Sequence, residues 1–359
     1  GEPLAVVVAE TAYQAADAVE SVWADVEPLT AVVSLDDAVA AETVLFPDRD
    51  DNVMWQIPSA GAIDFSGCDV VVTEELWNSR VAAVSIEPRV VAASFADGKL
   101  TYWASSQGTH DFRDGAAKCL GMDPADVRVL VKDVGGGFGA KGMVSEEEVI
   151  VGQLARLIGR PVRWVESRTE NLSAYVHGRA QAQTVTIGGT RDGRVTHYRL
   201  DVVQDCGAYP KWGAFLPEFT RQLASGVYDI ANLEFSAVSV ATNTAPTCAY
   251  RGAGRPEATA AIERAMDLFA AEVGMDVAEL RRVNLVASEA FPYTTPTGTS
   301  LDSGDYEGSL DRALAAIDYA GLRATQQRRR DAGDPVQMGV GVATYVEITG
   351  FGGSEYGEV

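Results

Sequence analysis

Apolar and polar residues alternate with a period of two over much of the chain, which is the pattern of half-buried β-strands. From Val70 onward the alternating runs are "VVVTEEL", "RVAAVSI", "RVVAASF", "KLTYWASS", "AQTVTIGG", "RVTHYRLDVVQD" and "LEFSAVSVATNT". Ala96–Gly98 and Asp192–Gly193 are turn sequences that predict hairpins between neighbouring runs. At the N-terminus, "GEPLAVVVAE" predicts a short buried strand, and "EPLTAVVSLDDAVA" predicts a strand followed by a short helix.

Other segments carry apolar residues with the period of a helix. They are "TAYQAADAVESVWADV", which Thr11 could cap, "FRDGAAKCLGM", "MVSEEEVIVGQLARLIG", "RPEATAAIERAMDLFAAEVGM" and "DVAELRRVNLV". Gly159 and Pro161 end the third of these helices in the usual order, with glycine at the end and proline just after. Antiparallel strands with helices between them predict a mixed α+β fold with largely antiparallel sheets.

A glycine-rich turn, "DVGGGFGAK" at residues 133–141, joins the apolar run "VRVLVK" to the helix that begins near Ser145. A triphosphate-binding loop needs Ser or Thr after its lysine, and this chain has Gly142 after Lys141. A dinucleotide fingerprint fits better, because Gly135, Gly137 and Ala140 match GxGxxG/A. The turn therefore has two open interpretations, a dinucleotide site and a tight turn without a ligand.

Two observations disfavour a dinucleotide. The segment "VRWVESRTENL" leads into antiparallel hairpins instead of a parallel strand that ends in an acidic residue. Glu146, Glu147 and Glu148 also crowd the first turn of the helix, where they would repel a pyrophosphate. An empty turn is disfavoured as well, since four glycines in five positions cost backbone entropy and indicate that some group approaches the backbone closely.

Charge and composition limit the partners. The 359 residues are 47% hydrophobic, enough for one large domain or two ordinary ones. The 29 basic and 51 acidic side chains give a net charge of −22, which disfavours nucleic acid and anionic membrane surfaces. No apolar run is long enough to span a bilayer, and no secretion signal is evident, so the sequence predicts no membrane insertion and a cytoplasmic location.

Cysteine spacing argues against a metal cluster on this chain. Cys68, Cys119, Cys206 and Cys248 are widely separated and form no CxxC pair. Neither a zinc site nor an iron–sulfur cluster has its usual ligand spacing. We therefore expect buried free thiols and no protein-bound metal ion.

Many blocks along the chain, in order and spacing, resemble the molybdenum-cofactor-binding large subunit of the xanthine dehydrogenase, aldehyde oxidase and carbon monoxide dehydrogenase family. The blocks are "GEPLAVVVAE", "YWASSQGTH", "LGMDPADVRVLVKDVGGGFGAK", "GRPVRWVESRTENL", "VHGRAQ", "DCGAYP", "NTAPTCAYRGAGRPEA", "IERAMDLFAAEVGMD", "ELRRVNLV" and "PYTTPTGTSLDSGDY". The resemblance implies that residues 1–45 end an α/β hammerhead domain and that 68–359 form the first cofactor-binding domain. The stretch 46–67 between them contains Asp, Gly and Pro, which predicts a linker. The resemblance also implies a second cofactor-binding domain, which we expect to be missing from this chain.

The same resemblance assigns site residues. It places the cofactor against Gln107, Gly136, Gly137, Phe138, Gly139 and Arg251, and the substrate pocket at Arg221 and Ala253. The implied cofactor is a molybdenum–pterin, in the molybdopterin or cytosine dinucleotide form, whose metal would be held through the pterin dithiolene and by no protein ligand. The Gln107 amide would donate a hydrogen bond to a cofactor oxygen. The general-base glutamate is expected beyond Val359, and neither Glu355 nor Glu358 is assigned that role.

The implied activity is the hydroxylation of an aldehyde or N-heterocycle, a small-molecule substrate, with oxygen derived from water. Electrons would pass to a 2Fe–2S small subunit and an FAD-binding medium subunit in a dimer of heterotrimers. Copper-containing carbon monoxide dehydrogenases carry a cysteine after the loop arginine, and purine enzymes carry a glutamate and an aromatic ring where this chain has Gly142 and Ala253. The alternatives are a carbon monoxide dehydrogenase-like subunit without the copper loop, a non-catalytic paralogue and a nicotinamide-dependent dehydrogenase.

Overall fold

The computed structural model describes residues 2–61 and 63–347, which form a mixed α+β fold. Its strands are β1 (Val53–Ile57), β2 (Val70–Asn78), β3 (Val81–Ala82), β4 (Val90–Ala96), β5 (Lys99–Ala104), β6 (Val127–Leu130), β7 (Val162–Val165), β8 (His177–Gly178), β9 (Gln181–Gly189), β10 (Val195–Asp205), β11 (Asn232–Val240), β12 (Tyr293–Thr294) and β13 (Ser300–Leu301). Its helices are α1 (Ala12–Val19), α2 (Leu35–Ala40), α3 (Thr109–Leu120), α4 (Glu146–Ile158), α5 (Arg168–Ser173), α6 (Leu216–Gln222), α7 (Arg255–Val273), α8 (Val277–Asn284), α9 (Tyr306–Ala316) and α10 (Tyr319–Asp331).

The larger sheet has five strands in the order β1-β11-β10-β9-β2. All neighbours are antiparallel except β10 and β11, which run parallel. Its inward side chains, such as Ile187 and Leu200, pack with Ile262, Met266 and Phe269 of α7 in the main hydrophobic core. Helix α7 therefore covers one face of this sheet, and its N-terminus is fixed relative to the strand ends.

The smaller sheet has four strands in the order β6-β5-β4-β7. Strands β5 and β6 are parallel, and β4 is antiparallel to both β5 and β7. A second core joins Leu100 and Tyr102 of β5 to Phe112 of α3 and Val151 of α4. Since β4 and β5 lie between β6 and β7, the unit β6-α4-β7 lacks the adjacent parallel strands of a dinucleotide-binding βαβ unit.

Several local predictions are confirmed. Ala96 pairs with Lys99 at the end of the β4–β5 hairpin, and β9 and β10 form the hairpin around Asp192–Gly193. Thr11 caps α1 by accepting a hydrogen bond from the Gln14 N–H. Gly159 ends α4 in the left-handed conformation. Turn and cap residues thus act as their local chemistry predicts.

Four predictions about strands and linkers need correction. "GEPLAVVVAE" forms no strand within the described residues, because no neighbouring strand pairs with it and Leu4, Val6 and Val8 are exposed. "AVVS" is not a strand either, since Val32 exchanges hydrogen bonds with the side chain and backbone of Asn243 instead of joining a ladder. "RVAAVSI" shrinks to β3, and the predicted linker 46–67 contains β1, which pairs with β11.

None of the helices in 2–61 and 63–347 combines the length and the apolar character that crossing a membrane requires.

Candidate functional site

Three segments that are distant in the sequence meet at one place in the fold. Gln107 follows the end of β5, and the loop 249–254 leads into α7. The glycine turn, extended here by Gly142 to residues 133–142, lies between β6 and α4. The Phe138 carbonyl accepts a hydrogen bond of 3.0 Å from the Arg251 N–H, which joins the second segment to the third. The structure thus brings together seven of the eight predicted site residues, which are Gln107, Gly136, Gly137, Phe138, Gly139, Arg251 and Ala253.

Gln107 is bound to the glycine turn through its side-chain oxygen and its backbone. Its Oε1 accepts hydrogen bonds from the backbone N–H of Gly139 at 2.8 Å and of Lys141 at 3.3 Å. Its own N–H donates to the Lys141 carbonyl at 3.0 Å. The position of Gln107 is therefore set by the turn, even though the residue itself is exposed.

The glycines of the turn are required by close approach. A Cβ at Gly137 would lie 2.3 Å from Oε1 of Gln107, and a Cβ at Gly139 would lie 2.7 Å from the Ala249 carbonyl oxygen. Gly139 also has φ of 97°, a left-handed conformation that side chains disfavour. The neighbouring Phe138 also has a positive φ, of 55°, and the residue is 42% exposed. The groups that approach the glycine backbone closely therefore include Gln107 and Ala249 of the protein itself.

Arg179 anchors the loop that carries Arg251. Its guanidinium donates to the carbonyls of Tyr250 at 3.1 Å and Arg251 at 2.7 Å, and pairs with Glu257 at 3.3 Å. Burial raises the pKa of Glu257, although the adjacent Arg179 acts in the opposite direction. Sequence reasoning missed Arg179, even though "VHGRAQ" was among the matching blocks.

The acidic first turn of α4 is less repulsive than the sequence suggests. Glu147 pairs at 2.6 Å with Arg89, which is buried and also binds Glu166 at 2.6 Å. Glu146 pairs with Lys211 at 2.7 Å. Glu148 closes the capping box of the helix. The predicted repulsion of a pyrophosphate is thus largely compensated by neighbouring cations, and the strand order is the stronger objection to a dinucleotide.

Hydrogen-bond donors at the meeting point remain available. Within the described part of the chain, the backbone N–H groups of Gly136, Gly137 and Phe138 and the side-chain nitrogen of Gln107 have no hydrogen-bond acceptor. The Arg251 guanidinium likewise has no acidic partner among those residues, and it is exposed. An array of neutral donors beside one cation fits an anionic, oxygen-rich group such as a molybdenum–pterin.

The two predicted substrate-pocket residues occupy different places. Ala253 lies in the loop beside Arg251, with φ of 44°. Arg221 lies on α6, and its guanidinium binds Glu218 at 2.6 Å and the Thr297 carbonyl at 2.9 Å. The structure thus holds Arg221 against its own helix and a neighbouring loop, and none of its hydrogen bonds to described residues reaches the glycine turn.

The cysteines are free thiols, as predicted, but only two of the four are buried. All four are free thiols; Cys206 and Cys248 are buried, and Cys68 is partly buried. Cys119 is exposed, because it lies at the outer side of α3 near the helix end. Cys248 packs with Ala140 and Tyr175 beneath the turn. The described residues contain no group of three or more side chains that could hold a metal ion.

Comparison with known proteins gives the family. Residues 45–285 match the family model of the molybdopterin cofactor-binding domain. The chain therefore belongs to the large subunits of the molybdenum hydroxylase family, as the sequence resemblance predicts.

Individual relatives agree with this family. The chain is 34% identical to the carbon monoxide dehydrogenase large chain of Hydrogenophaga pseudoflava, over 99% of this chain and 47% of that protein. It is 33% identical to the nicotine 6-hydroxylase large subunit of Paenarthrobacter nicotinovorans, over 98% and 44%. The crystal structure of quinoline 2-oxidoreductase from Pseudomonas putida 86 superposes with a TM-score of 0.86 and 29% identity, over 90% of this chain and 42% of that one. The chain spans less than half the length of these relatives.

Proposed function

We propose that this chain is the cofactor-binding part of an oxidoreductase that hydroxylates an aldehyde or an N-heterocycle with oxygen derived from water. The observation that carries the proposal is the meeting of Gln107, the glycine turn and the Arg251 loop, together with donors of these segments that have no acceptor among the described residues. When bound there, the molybdenum–pterin would supply the transfer of oxygen and the acceptance of electrons. The protein would bind this group, orient the substrate and exclude competing water.

Each cofactor-binding residue has a separate role in this proposal. The Gln107 amide donates to a cofactor oxygen without bringing a charge. The N–H groups of Gly136, Gly137 and Phe138 donate from the backbone, where their direction is fixed by the turn. Gly139 permits the close packing of the turn on Ala249. Arg251 contributes a positive charge at the edge of the site, attached to Phe138 through its N–H.

The substrate class follows from what the pocket residues lack. A Cβ at Gly142 would meet no atom within 4 Å, and Ala253 carries only a methyl group. Neither position can supply an acid or a stacking ring for a purine, so a more open pocket is proposed. Two relatives named above act on nicotine and quinoline, both N-heterocycles, which supports this class. Gly252, Ala253 and Gly254 offer no thiolate for copper.

Electron acceptors are proposed on other polypeptides. The four cysteines of this chain lack the usual spacing of cluster ligands, and the described residues hold no group of three side chains that could bind a metal ion. We therefore propose an iron–sulfur small subunit and an FAD-binding medium subunit, assembled as a dimer of heterotrimers in the cytoplasm. The names "large chain" and "large subunit" of the relatives support such partners. The general-base glutamate is proposed beyond Val359, whereas Glu355 and Glu358 lie outside the described residues.

Elemental analysis of the natively purified complex tests the proposal directly. Molybdenum together with iron and without copper is the expected result, and it would direct a screen of aldehydes and N-heterocycles. Copper in proportion to molybdenum would instead favour carbon monoxide oxidation. A complex without molybdenum would contradict the proposed activity and favour a non-catalytic paralogue. A titration with NAD followed by tryptophan fluorescence tests the nicotinamide alternative, for which we expect no binding.

A further inference from the structure

Lys141 is the last residue of the sequence "DVGGGFGAK", and its charged side chain is buried. Its side chain is 3% exposed, and its Nζ donates to the Glu87 carbonyl at 2.8 Å, to Oε2 of Glu87 at 3.1 Å and to Oγ of Ser105 at 2.8 Å. A buried ammonium is tolerated only when it is paired and fully hydrogen-bonded, and these three bonds satisfy all of its donors.

Glu87 binds the other end of the same turn, at Gly135. Its Oε2 accepts hydrogen bonds from the Gly135 N–H at 2.8 Å and from Oγ of Ser105 at 2.6 Å, in addition to Lys141. Burial acts to raise the pKa of Glu87, but the hydrogen bonds from Ser105, Gly135 and Lys141 outweigh it and hold the pKa below its ordinary value. One carboxylate oxygen thus binds the first and the last residue of the segment 135–141.

The backbone of Lys141 also holds Gln107. Its carbonyl accepts from the Gln107 N–H at 3.0 Å and its N–H donates to Oε1 of Gln107 at 3.3 Å. Ser105 belongs to the same segment as Gln107, two residues earlier. Through its side chain and its backbone, Lys141 therefore links the segments around Glu87, Gln107 and the glycine turn.

We propose that Lys141 and Glu87 are positioning residues, whose ion pair, buried at Lys141 and partly exposed at Glu87, fixes the glycine turn and the Gln107 amide relative to each other. Neither side chain would touch the substrate or the cofactor. The inference rests on the proposed function only for its consequence, which is correct placement of the donors against the molybdenum–pterin. The arrangement of the protein segments follows from the contacts alone.

Amide hydrogen exchange of the native complex tests this arrangement without relying on activity. In Lys141→Met we expect exchange in residues 105–108 and 133–142 to rise about tenfold or more, because hydrogen bonds to charged groups are among the strongest in proteins. Arg281→Met is the matched control, since Arg281 is fully buried and pairs with Glu263 at 2.8 Å between α7 and α8. That variant should lose stability without a selective change in these two segments.

A double variant separates an effect on the position of the turn from a general loss of protein stability. Replacing both partners of a largely buried ion pair by apolar residues is often neutral for stability, whereas removing one partner is costly. Here the Lys141 side chain is 3% exposed and the Glu87 side chain 32%. Lys141→Met/Glu87→Met should therefore recover much of the melting temperature lost in Lys141→Met, while the Gly135 N–H now loses its acceptor, Oε2 of Glu87. We expect exchange of the turn to stay elevated in the double variant. If Lys141→Met does not fold, Glu87→Gln supplies the milder single change.

The loaded enzyme gives a second readout. In the variants that retain molybdenum we expect an altered Mo(V) electron paramagnetic resonance spectrum and a kcat lowered on the order of 100-fold, as small misplacements of positioning groups produce, with KM nearly unchanged. Selective loss of molybdenum relative to Arg281→Met would also support the proposal. Wild-type exchange in both segments, with an unchanged spectrum and kcat, would overturn it. A wild-type complex without molybdenum would contradict the proposed function, yet the exchange experiment would still decide the role of the pair.

Discussion

The side-chain oxygen of Gln107 accepts a hydrogen bond of 2.8 Å from the backbone N–H of Gly139. This bond assigns the two ends of the Gln107 amide to different tasks. The oxygen holds the turn, and the nitrogen keeps both of its hydrogens for another acceptor. A residue with an acceptor alone, or a donor alone, could not do both.

Gln107→Glu should separate these two tasks. The carboxylate retains an acceptor for the Gly139 N–H but has no donor and adds a negative charge. We expect the turn to keep its hydrogen exchange while reduction of molybdenum by substrate slows on the order of 100-fold, the typical cost of one oxyanion-type donor. Gln107→Ala should slow the reaction and also loosen the turn, without unfolding the protein. A normal reductive half-reaction in both variants would remove Gln107 from the site.

Gly139→Ala should disturb the site through the backbone. A Cβ there would lie 2.7 Å from the Ala249 carbonyl oxygen, and φ of 97° is unfavourable for alanine. We expect a loss of at least about 1–2 kcal/mol in the free energy of unfolding and a lower molybdenum content. Gly142→Ala is the matched control in the same turn, since its Cβ would meet nothing within 4 Å. Equal molybdenum content in both variants would mean that the approach to Ala249 is unimportant.

Glu148→Gln should change how stability depends on pH. Burial of Glu148, 3% exposed, raises its pKa to about 7, above the ordinary value of 4.5. The folded state therefore binds more protons than the unfolded state between these values, so this contribution to stability is full below about pH 4.5 and is lost as pH rises through about 7. The loss is on the order of 3 kcal/mol, at roughly 1.4 kcal/mol per pKa unit.

Glutamine keeps the capping acceptor for Ser145 but does not ionise. Relative to wild type, Glu148→Gln should thus be more stable at pH 8 than at pH 5. Thermal unfolding at both pH values measures this difference, which also cancels the titration of other groups. A wild-type-like pH profile in the variant would show that Glu148 ionises normally in the folded protein.

Thiol labelling should rank the cysteines by position. Cys119 is exposed and should react with a disulfide reagent in the native protein. Burial raises the pKa of Cys206 to about 12 and raises that of Cys248, so both should stay unmodified until the protein unfolds. Mass spectrometry of labelled peptides at pH 8 distinguishes them. Rapid native labelling of Cys248 would contradict its packing against Ala140 and Tyr175.

Local structure could largely be predicted, with informative exceptions. The hairpin at Asp192–Gly193 and the end of α4 at Gly159 depend on backbone preferences of a few adjacent residues, and both are confirmed. "GEPLAVVVAE" has the composition of a strand but no partner among the described residues, so composition alone misled. The burial of Lys141 was missed for the opposite reason, because a lysine after a glycine turn gives no sign of being covered.

By itself, the sequence determined the element types, the α+β class and the family, because these depend on the period of apolar residues, on turn chemistry and on the order of whole blocks. Only the tertiary structure decided which residues act together. Gln107, Gly139, Lys141 and Glu87 come from three separate segments, and hydrogen bonds and burial join them in space. Arg221 was separated from the turn in the same way, by its bonds to Glu218 and Thr297. Such contacts depend on packing between layers, which no local pattern of the chain specifies.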